Sequence, residues 1–251
     1  MFAFQDTQAE AAHSVDVAFT DRHGGLSGGP FASLNLAALP GEDPEIVERN
    51  IERVSRAFAG VCADQPSPTV VRMRQVHGSE VHVVDRPSLT AAEPPVADAL
   101  VTRLPAVVLL VRVADCVPVL LADVHAGVVG AVHAGRPGLV AGVVPRAMEA
   151  MHALGAESVS AWVGPHVCGA CYEVPADMRA QVSALAPASF AETSWGTPSL
   201  DVGAGVVAQL KEAGADVIDR SRCTMEDEDL FSYRRQGPTS GRLAGLLRLR
   251  P

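Results

Sequence analysis

No basic segment leading into a long apolar run opens this sequence; MFAFQDTQAEAAHS contains neither, so no secretory signal is expected. No later stretch runs the roughly 18–20 apolar residues of a membrane span without a charge or a breaker, so no membrane partner is expected. Positive charge is in deficit. There are 20 Lys and Arg against 29 Asp and Glu, a net charge of −9. That balance argues against a general nucleic-acid surface, though it allows a small basic pocket. Cysteine is sparse and odd in number: Cys62, Cys116, Cys168, Cys171 and Cys223. An odd count without a signal fits a reducing, cytoplasmic setting. Cys168-Gly-Ala-Cys171 has no second C-x-x-C to complete a four-thiolate zinc site, and no thioredoxin-like context surrounds it. Repeats, linkers and low-complexity tracts are absent. With 251 residues, 48% of them hydrophobic, the chain reads as one α/β domain over 1–251.

What is present is concentrated in residues 107–138. Three short, β-branched runs, Val107–Val113, Val117–Leu121 and Val128–Val132, read as buried strands. Only Ala114-Asp115-Cys116 separates the first two. The last two read as a hairpin. If its turn is symmetric about Val124 and His125, Asp123 faces Ala126 and Cys116 faces His133. Directly opposed residues have Cβ atoms about 4.5–5.5 Å apart. That separation suits one metal ion shared by a thiolate and an imidazole. A buried cysteine is more often inert than a ligand. Asp115 tips the balance, because a carboxylate at the end of a buried strand is costly unless it is used or paired.

Around this centre, residues 17–36 read as a strand and a glycine-rich loop. No G-x-x-x-x-G-K-[ST] is present, so the loop is not a nucleotide P-loop. It is either a plain surface loop or a pocket wall offering Arg22 and Asn35. A helix is expected over Pro44–Ala59, with Asp43 as N-cap, Pro44 at the first position and Val47, Ile51, Val54 and Phe58 as its apolar stripe. Strands are expected at Thr69–Val76 and Val81–Val84, with His77 at a strand end beside Gly78, and a loop at Arg86–Pro95. Leu139–Leu154 has helical spacing that Pro145 should interrupt. Ser158–Val163 reads as a strand, Pro175–Leu185 and Val202–Ala213 as helices, and Val217–Ile218 as the start of a short strand.

Seven motifs follow one another across almost the whole chain: GGLSGGPFASLNL, RQVHGSEV, ADALVT, ADCVPVLLAD, GAVHAG, GPHVCGACYEV and CT…LFSYRR…SGR. In this order they resemble the YfiH family, also called the laccase-domain or polyphenol oxidase family. The resemblance implies a layered α/β/β/α sandwich with mixed sheets. It also implies a zinc site made by His77, Cys116 and His133. The implied activity is phosphorolysis of purine nucleosides (adenosine, inosine, guanosine, methylthioadenosine) with adenosine deamination. An older label in the family is copper-dependent phenol oxidase. One departure stands out: the family continues His-Ala-Gly with Trp-Arg-Gly, where this chain has Arg136-Pro137-Gly138.

On that reading phosphate needs an anion site, for which Arg234, Arg235 and Arg22 are candidates. Arg136 is a fourth, because Pro137 should push it into an extended conformation facing the cleft. Asp115 is the candidate general acid for base departure. Competing readings remain open. Copper suits a His/Cys site, but the His-x-His pairs of multicopper clusters do not occur among the eight histidines. A non-catalytic zinc or regulatory protein would close the fourth position, and a Cys116–His133 hydrolase would need no metal.

Overall fold

The computed structural model describes residues 1–10, 12–62, 64–91 and 93–251. Among the described residues the strands run in the order β1 (Phe2–Glu10), β2 (His13–Thr20), β3 (Thr69–Val71), β4 (Val81–Val83), β5 (Ala99–Thr102), β6 (Val107–Val113), β7 (Val117–Asp123), β8 (Val128–Ala134), β9 (Ser160–Val163), β10 (Phe190–Glu192), β11 (Pro198–Leu200), β12 (Asp216–Asp219) and β13 (Leu243–Arg250). The helices are α1 (Pro44–Ala59), α2 (Arg136–Ala141), α3 (Val143–Ala153), α4 (Ala176–Leu185), α5 (Val202–Glu212) and α6 (Tyr233–Gln236). Among the described residues, no helix is long and apolar enough to cross a membrane. Of the expected Arg86–Pro95 loop, Ala92 lies outside the described residues.

Two mixed sheets face each other, one in the order β1-β2-β13-β6-β3, the other β12-β9-β7-β8-β5-β4. Each is antiparallel except at β6/β3, β12/β9 and β5/β4. Alternation along the strands sends neighbouring side chains to opposite faces and so builds three apolar layers. Val17, Leu109 and Leu247 of the first sheet meet Leu120, Val129 and Trp162 of the second. On the first sheet's other face, Ala18, Leu110 and Leu246 pack on the α1 stripe of Val47, Ile51, Val54 and Phe58. On the second sheet's other face, Val119, Leu121 and Val132 pack on α3 and α5 through Met148, Met151, Val206 and Leu210. The result is the α/β/β/α sandwich. The α1 boundaries are those expected, with Asp43 accepting from Glu45 N (2.9 Å) and Gly60 closing the helix in the left-handed region (φ 65°).

Several expectations need correction. The hairpin turn spans four residues, Val124–Gly127. Asp123 accepts from Ala126 N (2.8 Å) and Gly127 takes φ 63°, so Asp123 pairs with Val128 and His133 with Pro118. The shift is two residues, which leaves every side chain on its intended face. Cys116, just before β7, therefore sits diagonal to His133. The helix expected over Leu139–Leu154 is broken at Gly142 (φ 76°); Pro145 falls harmlessly in the first turn of α3. The strand expected over Thr69–Val76 ends at Val71. Four strands, β1, β10, β11 and β13, were not expected at all.

Candidate metal centre and its cavity

β6 belongs to one sheet and β7 to the other. The chain crosses between them in Ala114-Asp115-Cys116, and Asp115 makes the crossing at φ 80°. That short switch puts Cys116 at the sheet ends. His133 reaches the same place from the end of β8. His77 arrives from the loop after β3, itself at φ 60°. A non-glycine residue held there marks a backbone that its surroundings over-determine. The ligand atoms of His77, Cys116 and His133 lie within 4.8 Å of one another. The two rings meet edge to face, with centroids 4.8 Å apart. Gly135 makes the approach possible: a Cβ there would sit 2.8 Å from His77 Cδ2 and 3.0 Å from Cys116 Sγ.

The residue that organises this group went unrecognised in the sequence. Asp98 is fully buried. Its carboxylate accepts from the backbone N–H groups of Val76 (3.2 Å), His77 (3.0 Å) and Gly78 (2.7 Å). It also accepts from His133 Nδ1 (2.8 Å), which leaves Nε2 as the nitrogen a metal could take. One carboxylate thus holds both histidines. A signal was available. Asp98 lies in the apolar stretch Val96–Val101, and a charge there must be paired. Gln75 braces the same loop against β6, donating to Arg112 O (2.7 Å) and accepting from Arg112 N (3.0 Å).

Electrostatically the centre is a thiolate–imidazolium pair. Burial opposes the Cys116 thiolate, but His133 and His77 outweigh it and bring the thiol down to about 6. Burial likewise opposes the His133 cation, which Cys116 and Asp98 raise to about 9. A metal must displace the His133 proton, and below about pH 6 a second one from Cys116. Metal affinity should therefore rise about tenfold per pH unit between 6 and 9, and more steeply below 6. Titrating metal-free protein in weakly buffered solution at pH 7.5 should release about one proton per metal bound; no release would mean that the pair is not formed.

The three residues open onto a cavity of about 750 Å³ that Arg74, Arg112, Arg136, Arg234 and Arg242 also line. Burial lowers Arg112 and Arg242 below the usual guanidinium range. Among the described residues, the guanidinium groups of Arg74 and Arg136 make no hydrogen bond or ion pair. Arg234 stacks on Tyr172 (4.7 Å) and donates to Glu173 O (3.0 Å). Arg136 does not take the extended form expected; it opens α2, with Gly135 as N-cap and Pro137 in the first turn. It reaches the cavity nonetheless. Arg74 was missed, since nothing in its local sequence sets it apart from a solvated charge.

Three other expected contacts point elsewhere. Arg22 lies over Phe231 (4.6 Å) and donates to Ala32 O. Asn35 is fully buried, bonded to Ala37, Glu42 and Arg242 N, so it positions Arg242 instead of touching a ligand. Arg235 spends its guanidinium on the carbonyls of Thr224, Met225, Asp227 and Leu230. Asp115 lines the cavity, but its oxygens accept from Thr224 Oγ1 and Arg234 N, both at 2.6 Å. Those bonds tie the C-terminal segment to the switch that carries Cys116 and engage both oxygens of the carboxylate expected as the general acid.

Residues 16–250 match the family described as multi-copper polyphenol oxidoreductase laccase. Purine nucleoside phosphorylase ORF3 of Streptomyces griseus is 52% identical over 246 residues, covering 96% of this chain and 97% of that protein. The crystal structure of Neisseria meningitidis protein NMB0706 gives a TM-score of 0.81 at 31% identity, covering 98% of this chain and 99% of that one. Bacillus licheniformis hypothetical protein YfiH shares the fold, with a TM-score of 0.81 at 24% identity over 93% of this chain and 92% of that one. Sandwich, ligand group and family match coincide along nearly the full length, and the chain belongs to the YfiH-like laccase-domain family.

Proposed function

We propose that this chain is a zinc-dependent purine nucleoside phosphorylase acting on adenosine, inosine, guanosine or methylthioadenosine, with adenosine deamination at the same site. The observation that carries the reading is the His77–Cys116–His133 group opening onto an arginine-lined cavity. Its volume falls within the roughly 300–1,000 Å³ of small-ligand sites. The name of the Streptomyces griseus relative supports the same activity. One thiolate and two imidazoles are three of the four donors of a tetrahedral zinc site; a bound zinc would supply Lewis acidity and an activated water, the chemistry deamination needs.

The chain's own residues supply the rest. In phosphorolysis a phosphate oxygen bonds to C1′ of the ribose while the C1′–N9 bond breaks and its electron pair leaves with the purine. Phosphate must therefore be held close to C1′ and its charge balanced. Arg74 and Arg136 have guanidinium groups free to do so, and Arg234 is already fixed by Tyr172. Arg136→Ala should raise KM for phosphate by about ten- to a hundredfold, the value of one charge-assisted contact, and leave metal content unchanged. An unaltered phosphate dependence would exclude that role.

The family description and the His₂Cys donor set favour copper as a second reading. Against it, among the described residues only two groups of three or more metal-ligating side chains exist, and only one contains histidine. The deciding experiment incubates metal-defined protein with adenosine, with and without phosphate. Adenine and ribose 1-phosphate should form only with phosphate, and inosine in either case. No free base at high enzyme concentration, together with phenol oxidation by the copper-loaded protein, would reverse the assignment.

A further inference from the structure

Away from the cavity's metal centre, the loop after β9 meets the segment after β12. His166 N donates to Arg222 O and Thr224 N to His166 O, a parallel bridge that lays Cys223 beside the Cys168–Cys171 turn. In that turn, Cys171 N and Tyr172 N both donate to Cys168 O. The C-x-x-C that lacked a partner in sequence thus finds one across roughly fifty residues of chain. Glu226 completes the set from the following turn, with Cys171 Sγ 3.4 Å from its Oε1. The ligand atoms of Cys168, Cys171, Cys223 and Glu226 all lie within 4.8 Å of one another.

We propose that Cys168, Cys171, Cys223 and Glu226 form a second, structural metal site for a thiophilic divalent cation, zinc above all. With Zn–S bonds of about 2.3 Å, tetrahedral geometry sets sulfurs about 3.8 Å apart, which the cluster reaches with small side-chain adjustments. Three thiolates favour zinc over the hard cations that oxygen ligands select. Four protein donors fill the coordination shell, so this site offers no open position for a substrate. Its effect is mechanical. The 168–174 loop carries Tyr172, and the 222–235 segment carries Arg234 and the Thr224 that bonds Asp115. Cross-linking the two fixes one wall of the cavity. The site is independent of whatever occupies His77, Cys116 and His133.

The test counts zinc per chain in full-length protein purified under reducing conditions with equimolar and excess zinc. Cys171→Ser should lower the count by about one relative to wild type, whether or not the first centre is filled. Cys116→Ala, which disables the first centre, should still retain about one zinc. Cobalt loaded into Cys116→Ala should show thiolate-to-cobalt charge-transfer absorption, lost on adding Cys168→Ser. Glu226→Gln, at an exposed position that leaves the fold intact, should weaken zinc at this site and lower the thermal midpoint of the zinc-loaded protein only. Three results would each overturn the proposal: an unchanged zinc count in Cys171→Ser, a Cys116→Ala protein without zinc or cobalt–thiolate absorption, or a disulfide among Cys168, Cys171 and Cys223 in the reduced, zinc-supplied protein. Absence of nucleoside cleavage by the unsubstituted protein with both sites zinc-loaded would instead count against the phosphorylase reading alone.

Discussion

Cys116→Ala should empty the cavity's metal centre and abolish nearly all nucleoside turnover. The thiol is the one anionic ligand of the group, and His133 and His77 already hold it as a thiolate down to about pH 6. Removing it leaves two imidazoles, one of them pinned to Asp98, too few to define a tetrahedral site. Loss of an outer partner of a metal ligand typically costs about 10–100-fold in metal affinity, and loss of a ligand itself should cost more. The fold should survive, because Cys116 lies in the switch between sheets and not in either apolar layer between strands and helices. Equilibrium dialysis against buffered zinc, with the phosphate-dependent assay, measures both effects. Full occupancy with intact activity in this variant would sink the assignment of the centre.

Asp98→Ala should damage both metal binding and stability. The substitution strips three consecutive backbone N–H groups and one buried imidazole of the fully buried carboxylate that accepts from them. Breaking one side of such a buried, charged network costs about 3–5 kcal/mol. His77 would lose the anchor that holds its backbone at φ 60°, and His133 the partner that selects its tautomer. Metal affinity should fall about 10–100-fold even where the protein remains folded. Asp98→Asn separates the two effects. It keeps the shape, but its NH₂ must face a donor. The wild-type carboxyl is opposed by burial, yet His133 and the Gly78 N–H hold it below the usual carboxylate range. A depressed acid stabilises the folded state above its unfolded value of about 3.9 and loses that contribution as pH falls through the folded value. The acid limb of the wild-type stability curve should therefore flatten in Asp98→Asn. Denaturant midpoints from pH 2 to 7 would show it; identical midpoints and metal affinity in wild type and variant would refute the positioning role.

Much of this molecule was legible from local rules. The α1 boundaries follow from Asp43, Pro44, a 3.6-residue apolar stripe and Gly60, all within one stretch of chain. The strands β6, β7 and β8 follow from β-branched runs that only a covered sheet can bury. The pairing of thiol and imidazole survived a wrong register because strand periodicity is two and the error was two. What stayed hidden depends on contacts distant in the chain. β13 lies between β2 and β6 in the centre of the first sheet, yet its Leu-Ala-Gly-Leu-Leu-Arg-Leu-Arg reads as a weak tail until those strands flank it. Three residues send β6 and β7 to different sheets, and no periodicity reports which sheet a strand joins. Arginines look alike in sequence; only packing turned Arg22 and Arg235 inward to structural partners and left Arg74 and Arg136 facing the cavity. Donor types and their placement at strand ends were thus local properties, set by side-chain chemistry and chain period. Which donors converge, as Asp98 does on His77 and His133 or Cys223 on Cys168 and Cys171, was decided by tertiary packing, because each convergence joins segments that meet only when the two sheets close on each other.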